Sequence, residues 1–246
     1  MKKWIVMLFA TLPSLVFAAG GSSVPLDQPN NDLTDKASLQ NGAKLFMNYC
    51  FACHSTQYQR YQRVAEDIGI PLDLMKENLV FDPNAKIGDL MENAIPEESA
   101  SKWFGAPPPD LTLVARVRGT DWLYTYLRTF YADPSKTFGV NNIVFPSVGM
   151  PHVLEELQGI PMPVYETHMV DGVEVKTVVG VEADGTGELS PKEYDMAVRD
   201  LVNFLEYSGD PVKLEREAMG WWVMAFLVIL TIVFVLLKKE YWRDVH

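Results

Sequence analysis

Cysteine is scarce in this chain: Cys50 and Cys53 are the only two in 246 residues. A structural zinc site needs a second ligand pair, and no second C-x-x-C is present to supply one. A redox dithiol needs a C-x-x-C beside a βαβ pattern, which is not visible either. Basic residues are also in the minority, with 21 Lys and Arg against 32 Asp and Glu and a net charge of −11. No basic groove can be read from that balance, and nucleic acid is disfavoured as a partner. Internal repeats are absent.

The chain does have Cys50-Phe51-Ala52-Cys53-His54. C-x-x-C-H is the attachment signature of a c-type haem. Two thiols on one helical turn can each add across a haem vinyl group, and the adjacent imidazole then sits under the ring as an axial iron ligand. A second such run is missing, which excludes a multihaem array. Leu39, Ala43, Phe46, Cys50 and Cys53 recur at helical spacing, so a helix over Ser38 to Cys53 is expected with both thiols on its buried face. Gly42 inside that helix costs about 1 kcal/mol relative to Ala, which implies a packing reason such as the close approach of another helix.

Both ends of the chain carry membrane signals. Lys2 and Lys3 precede an apolar run from Trp4 to Phe17 and the small residues Ala18 and Ala19, a secretory signal with cleavage expected after Ala18, the alternatives being cleavage after Ala19 or an uncleaved anchor. Met219 through Leu237 is apolar without a charge, long enough at 1.5 Å per residue to cross a ~30 Å hydrocarbon core. Trp221 and Trp222 flank one side, and Tyr241 and Trp242 the other, as interfacial belts. Lys238, Lys239 and Arg243 come after the span, so the positive-inside rule places the C-terminus in the cytoplasm and the preceding domain in the periplasm. The expected organisation is a signal over 1–18, a periplasmic domain over 19–215, an anchor over 219–237 and a tail over 238–246. Setting aside Lys2, Lys3 and the +1 tail leaves about −14 on the exported domain, a charge that would steer a basic partner or serve solubility alone.

The exported domain is long enough for one sizeable core. The predicted fold class is mostly α, a c-type cytochrome domain with a β-hairpin insertion and one C-terminal transmembrane helix. A short helix is expected around Ile87 to Asn93, and an amphipathic one over Asp121 to Phe130 with Leu123, Tyr126, Leu127 and Phe130 on one face. Val164 to Val170 and Val173 to Val181 flank Asp171-Gly172, a type I′ hairpin signal. Ser190, Pro191 and Glu193 open the last helix of the domain as N-cap, N1 and N3. That helix should pack against the one bearing the thiols.

One His leaves one axial position on the iron, and the group that fills it separates an electron carrier from an open-site enzyme. His152, His168 and His246 read more readily as surface residues than as ligands. Met150 stands out because Ser147-Val148-Gly149-Met150-Pro151 is irregular chain that can lay a thioether against the iron. Met162, between Pro161 and Pro163, is the competitor.

The ordered set of motifs resembles the cytochrome c1 family, the haem subunit of the quinol:cytochrome c oxidoreductase (cytochrome bc1) complex, in a form similar to those of Gram-negative bacteria. It comprises Asn41 to Phe46 before the C-x-x-C-H run, Gly105-Ala106-Pro107-Pro108-Pro109-Asp110-Leu111-Thr112, Val148-Gly149-Met150-Pro151, Val198 to Leu205, and a single C-terminal anchor. The resemblance implies one covalently bound haem c, with Met150 as the sixth ligand and the Pro109 carbonyl as acceptor for the second nitrogen of His54. It also implies that Arg118 holds a haem propionate, with Arg116 as alternative. Just after Arg118 the chain is shorter than some relatives, and Trp122 stands as a replacement aromatic neighbour. The region from Pro161 to Ser190 is longer than in some members.

By this resemblance the haem takes an electron from a Rieske iron–sulfur protein and passes it to a soluble or membrane-bound c-type cytochrome, beside a cytochrome b subunit in a dimeric complex of the bacterial inner membrane. The enzyme activity belongs to the assembly, with no catalytic site in this chain. The alternative is a free-standing membrane-anchored monohaem cytochrome feeding a terminal oxidase. A haem peroxidase or nitrite-reducing enzyme would instead need an open iron and a distal acid–base group.

Overall fold

A computed structural model describes residues 24–170 and 173–244. The signal segment, the Asp171-Gly172 turn and His246 lie outside the described residues. The core is built on two helices that sit far apart in sequence. Helix α1 (Lys36–Leu45) is N-capped by Asp35, whose side chain accepts from the Ser38 amide. Helix α8 (Pro191–Gly209) opens with a full capping box: Ser190 accepts from the Glu193 amide, and the Glu193 carboxylate accepts from the Ser190 amide. The two pack directly on each other. A methyl at Gly42 would overlap the Asp200 carbonyl, so the glycine is where the backbones meet. Around it Phe46 and Phe204 sit 5.5 Å apart, with Leu39, Val198, Leu201 and Val202 all buried.

The thiol-bearing segment does not continue as a regular helix to Cys53. After Leu45 the chain widens into a π-turn over Phe46–Cys50, with the Phe51 amide donating to the Phe46 carbonyl at 2.9 Å. Such turns insert one extra residue per loop of backbone and rotate the succeeding side chains about the helix axis. Cys50 is accordingly buried while Cys53 is only half-buried, so the two thiols do not share the buried face that regular 3.6-residue spacing predicts.

Four short helices escape the periodicity of the sequence: α2 (Tyr61–Ile68), α3 (Leu72–Asn78), α4 (Glu97–Phe104) and α5 (Val114–Arg118). Each is eight residues or fewer, too short to show a sustained repeating stripe. The helix expected around Ile87 to Asn93 is absent; the chain turns there and contributes β2 (Leu90–Met91), paired antiparallel with β1 (Thr56–Arg60). Helix α6 (Thr120–Arg128) ends earlier than expected, because Phe130 belongs to β3 (Phe130–Ala132), which pairs with β4 (Val140–Asn142). Its buried face includes Leu123, Tyr126 and Leu127 as the spacing requires.

After the one-turn helix α7 (Glu155–Gln158), β5 (Met162–Val170) and β6 (Val173–Glu182) form the expected hairpin, with register Val170↔Val173. Most of its described side chains are exposed, so it projects from the helical body. About half of the described residues are helical, with three two-stranded antiparallel sheets among them where one hairpin was expected. Helix α9 (Lys213–Tyr241) contains the apolar run, spans 29 residues and has no buried residue; it is long and apolar enough to cross a membrane.

Candidate functional site

His54 lies just beyond the π-turn, its amide donating to the Cys50 carbonyl at 2.8 Å. The ring is oriented from outside that turn. His54 Nδ1–H donates to the Pro109 carbonyl at 2.7 Å, which assigns the proton to Nδ1 and leaves the lone pair on Nε2. The proline segment is held in turn by the Leu111 amide donating to the Ser55 carbonyl and the Gln57 amide donating to the Asp110 carboxylate. Burial lowers the His54 pKa, against the Pro109 hydrogen bond and the nearby Asp110 charge, which raise it. A neutral imidazole with one free nitrogen, beside two unpaired cysteines, is the donor set that a c-type haem requires.

The thiols themselves argue against the dithiol reading. Burial and the neighbouring Cys53 push the Cys50 thiol up to about 12, and burial raises Cys53 as well. Reactive dithiols need the opposite shift. Among the described residues no group of three His, Cys, Asp or Glu side chains gathers around a common point, so a zinc site has no further ligands there.

Met150 lies on a loop organised by two buried asparagines, one of which fastens it to α6. Asn142 donates to the Tyr126 carbonyl at 2.7 Å, and its side-chain oxygen accepts from the Val144 and Phe145 amides. Asn141 accepts from the Ser147 amide at 2.8 Å and donates to Asp133 at 3.0 Å. Ser147 has φ +61°, a left-handed conformation that this clamp supports. The loop then seats Val148 in the core and lays the Met150 sulfur 3.4 Å from the Tyr126 hydroxyl, which donates to it. Tyr126 stacks on Trp122 at 4.9 Å between ring centroids and meets the edge of Phe130 at 5.2 Å.

The other candidates separate by position. Met162 is 56% exposed at the base of the hairpin, paired with Glu182. His168 is exposed on the same hairpin, 3.5 Å from Glu166. His152 is buried, contrary to the surface position expected of it; it stacks on Phe130 at 4.9 Å, and burial pulls its pKa down to about 4. Arg116 reaches Asp210 at 4.0 Å, whereas the Arg118 guanidinium lies over the Trp122 ring at 5.1 Å. Trp122 therefore links Arg118 to the Tyr126–Met150 pair.

Helix α6 also ties the thiol side to the methionine side. The Tyr194 hydroxyl, on the helix that packs against α1, donates to the Leu127 carbonyl at 2.8 Å. Tyr126, the preceding residue, faces Met150. The asparagine clamp and the role of Tyr126 were missed by sequence reasoning; the adjacent Asn141-Asn142 pair, eight residues before Met150, is the signal that could have pointed to the first.

The chain matches the Cytochrome C1 family over residues 28–245. It is 52% identical to a protein named cytochrome c1 from Allochromatium vinosum over 246 residues, the full length of both chains. It is 43% identical to a protein named ammonia monooxygenase gamma subunit from Nitrosomonas europaea, over 98% of this chain and 97% of that one. A protein named cytochrome b/c1 from Bradyrhizobium diazoefficiens is 26% identical over 86% of this chain, which covers 34% of its length.

Proposed function

The chain belongs to the cytochrome c1 family, and from that premise we propose how its residues serve as the membrane-anchored haem c subunit of the cytochrome bc1 complex. When bound, haem c would supply one-electron redox chemistry. Cys50 and Cys53 would hold it covalently, and His54 would offer Nε2 to its iron. The Pro109 carbonyl fixes the imidazole tautomer and raises its basicity. Met150 would offer its sulfur to the iron from a loop clamped by Asn141 and Asn142. Arg118, which lies over Trp122, would neutralise a propionate, with Arg116 as the alternative.

Ligation by both His54 and Met150 would raise the potential and leave no coordination site for substrate, which favours electron transfer over peroxidase or reductase chemistry. The electron donor is a Rieske iron–sulfur protein and the acceptor a c-type cytochrome, soluble or membrane-bound. Cytochrome b is the membrane partner, an assignment supported by the relative whose name joins b and c1. The complex is dimeric and sits in the bacterial inner membrane. Residues 1–18 are the cleaved signal, 19–215 lie in the periplasm, 219–237 span the bilayer and 238–246 face the cytoplasm.

The observation that carries this reading is His54, its Nδ1 engaged by Pro109 and its Nε2 without a hydrogen bond among the described residues, in the same segment as the two thiols. Mild-detergent purification of the tagged chain tests it: a dihaem cytochrome b and a Rieske protein should co-purify. Recovery of the chain with a terminal oxidase and no cytochrome b would favour the free-standing carrier instead. At the residue level, Met150→Leu should abolish the sulfur-to-ferric-iron charge-transfer band, whereas Met162→Leu should leave it intact.

A further inference from the structure

The Tyr126 hydroxyl is buried in an aromatic stack and spends its hydrogen bond on a thioether. Trp122 covers one face of the ring in near-parallel contact, with an interplanar angle of 10°, and Phe130 meets it edge-on. Within that enclosure the hydroxyl donates to the Met150 sulfur at 3.4 Å, its one side-chain hydrogen bond among the described residues. Sulfur is a weak acceptor, and a buried hydroxyl is normally satisfied by oxygen. Packing alone would be served as well by Phe at this position, without the cost of desolvating a hydroxyl. The arrangement makes sense if the sulfur itself is the group on which the hydroxyl acts.

We propose that Tyr126 is a positioning residue for the Met150 sulfur, donating to one lone pair while the other points to the iron, and thereby raising the reduction potential. This rests on Met150 being the axial ligand. A thioether has two lone pairs on sulfur, so one can accept from Tyr126 while the other is given to a metal. A donor on the first withdraws electron density from the second, which weakens the bond to ferric iron more than the bond to ferrous iron. The balance moves toward the reduced state. The position also holds the thioether against rotation, because Tyr126 is fixed at its backbone by Asn142 and at its ring by Trp122.

The test is Tyr126→Phe in the haem-loaded chain, which keeps the ring and its stacking while deleting the donor. The equilibrium for reduction should fall about threefold to tenfold, which at ~59 mV per tenfold for a one-electron couple is a drop of roughly 30–60 mV. The charge-transfer band should persist, since methionine still ligates. Added imidazole should displace Met150 from the ferric form less readily, by a similar factor. An unchanged or raised midpoint in Tyr126→Phe would overturn the proposal, as would looser methionine ligation, which would mean that the hydroxyl merely holds the loop. Met150→Leu separates the two readings: if that variant keeps the band, the ligand assignment fails and the proposal falls with it. If Met150→Leu loses the band and Tyr126→Phe leaves the midpoint unmoved, the proposal alone is wrong.

Discussion

Helices α8 and α9 are consecutive, with three residues between them, and they solve the burial of apolar surface in opposite ways. Helix α8 has one apolar face, and ten of its 19 residues are buried against α1, α5 and α6. Helix α9 is more apolar on average, with charges confined to its ends, yet none of its 29 residues is buried. An amphipathic stripe needs one protein partner, whereas a helix apolar all round needs a surrounding medium. At 1.5 Å per residue α9 is about 43 Å long, enough to cover the hydrocarbon core and reach into both headgroup layers. The contrast teaches that hydrophobicity and burial in the chain's own core are separate quantities.

The sharpest test of that contrast ends the chain after Val212. The haem domain should then move from the membrane to the soluble fraction with its spectrum intact, because α9 gives the body little beyond the Lys213–Glu206 and Arg216–Asp210 ion pairs. Pairs that remain partly exposed contribute about 0.2–1 kcal/mol each. Loss of the haem spectrum on truncation would show that the anchor takes part in folding the body. Next in size is the same substitution in each helix. Phe204→Ala removes a fully buried ring facing Phe46 and should cost about 3–5 kcal/mol in thermal unfolding of the domain. Phe226→Ala, on an exposed position of α9, should leave that transition unmoved.

A smaller effect separates the glycines. Gly42→Ala forces a methyl into the Asp200 carbonyl and should cost about 1–3 kcal/mol despite the better helix propensity of Ala. Gly220→Ala, with nothing within 4 Å of the added carbon, should be neutral or favourable by up to about 1 kcal/mol. The smallest difference concerns the caps: Ser190→Ala should cost about 1 kcal/mol, while α9 has no side-chain cap to lose at Val212. The Ser190 hydrogen bonds also hold the Glu193 pKa below its ordinary 4.5. A depressed carboxylate stabilises the fold above its unfolded value, and that contribution disappears as pH falls through the lower folded value. Glu193→Gln should therefore flatten the acid limb of the unfolding curve slightly, read by circular dichroism from neutral pH down to about pH 3.

The elements legible in the sequence share one property: each is specified by neighbours in the chain. Cys50, Cys53 and His54 form a spacing that one turn of backbone realises. Ser190, Pro191 and Glu193 close a capping box within four residues, and β5 and β6 pair across a two-residue connection. Met150 could be singled out because glycine and proline flank it, and Gly42 because a helical glycine needs a reason. The elements that escaped depend on contacts between distant segments. The π-turn at Phe46–Cys50 alters a regular spacing without any residue that breaks a helix, so the different burial of the two thiols could not be read. The helix expected over 87–93 lost to pairing of Leu90 and Met91 with β1, a strand some thirty residues earlier.

Local covalent order thus determined by itself that Cys50 to His54 carry the spacing of a haem-attachment motif, that a hairpin and a capped helix come later in the chain, and that the last helix has a long uncharged apolar centre, because those features need only the spacing and type of adjacent residues. The tertiary structure decided which nitrogen of His54 carries the proton, since Pro109 is 55 residues away, and it decided that Met150 faces a hydroxyl, since Tyr126 is reached across a gap of 24. Hydrogen-bond geometry falls off within a few tenths of an ångström. No pattern along the chain encodes distances of that precision; only the packing of α1 on α8, and of the clamped loop on α6, brings those atoms together.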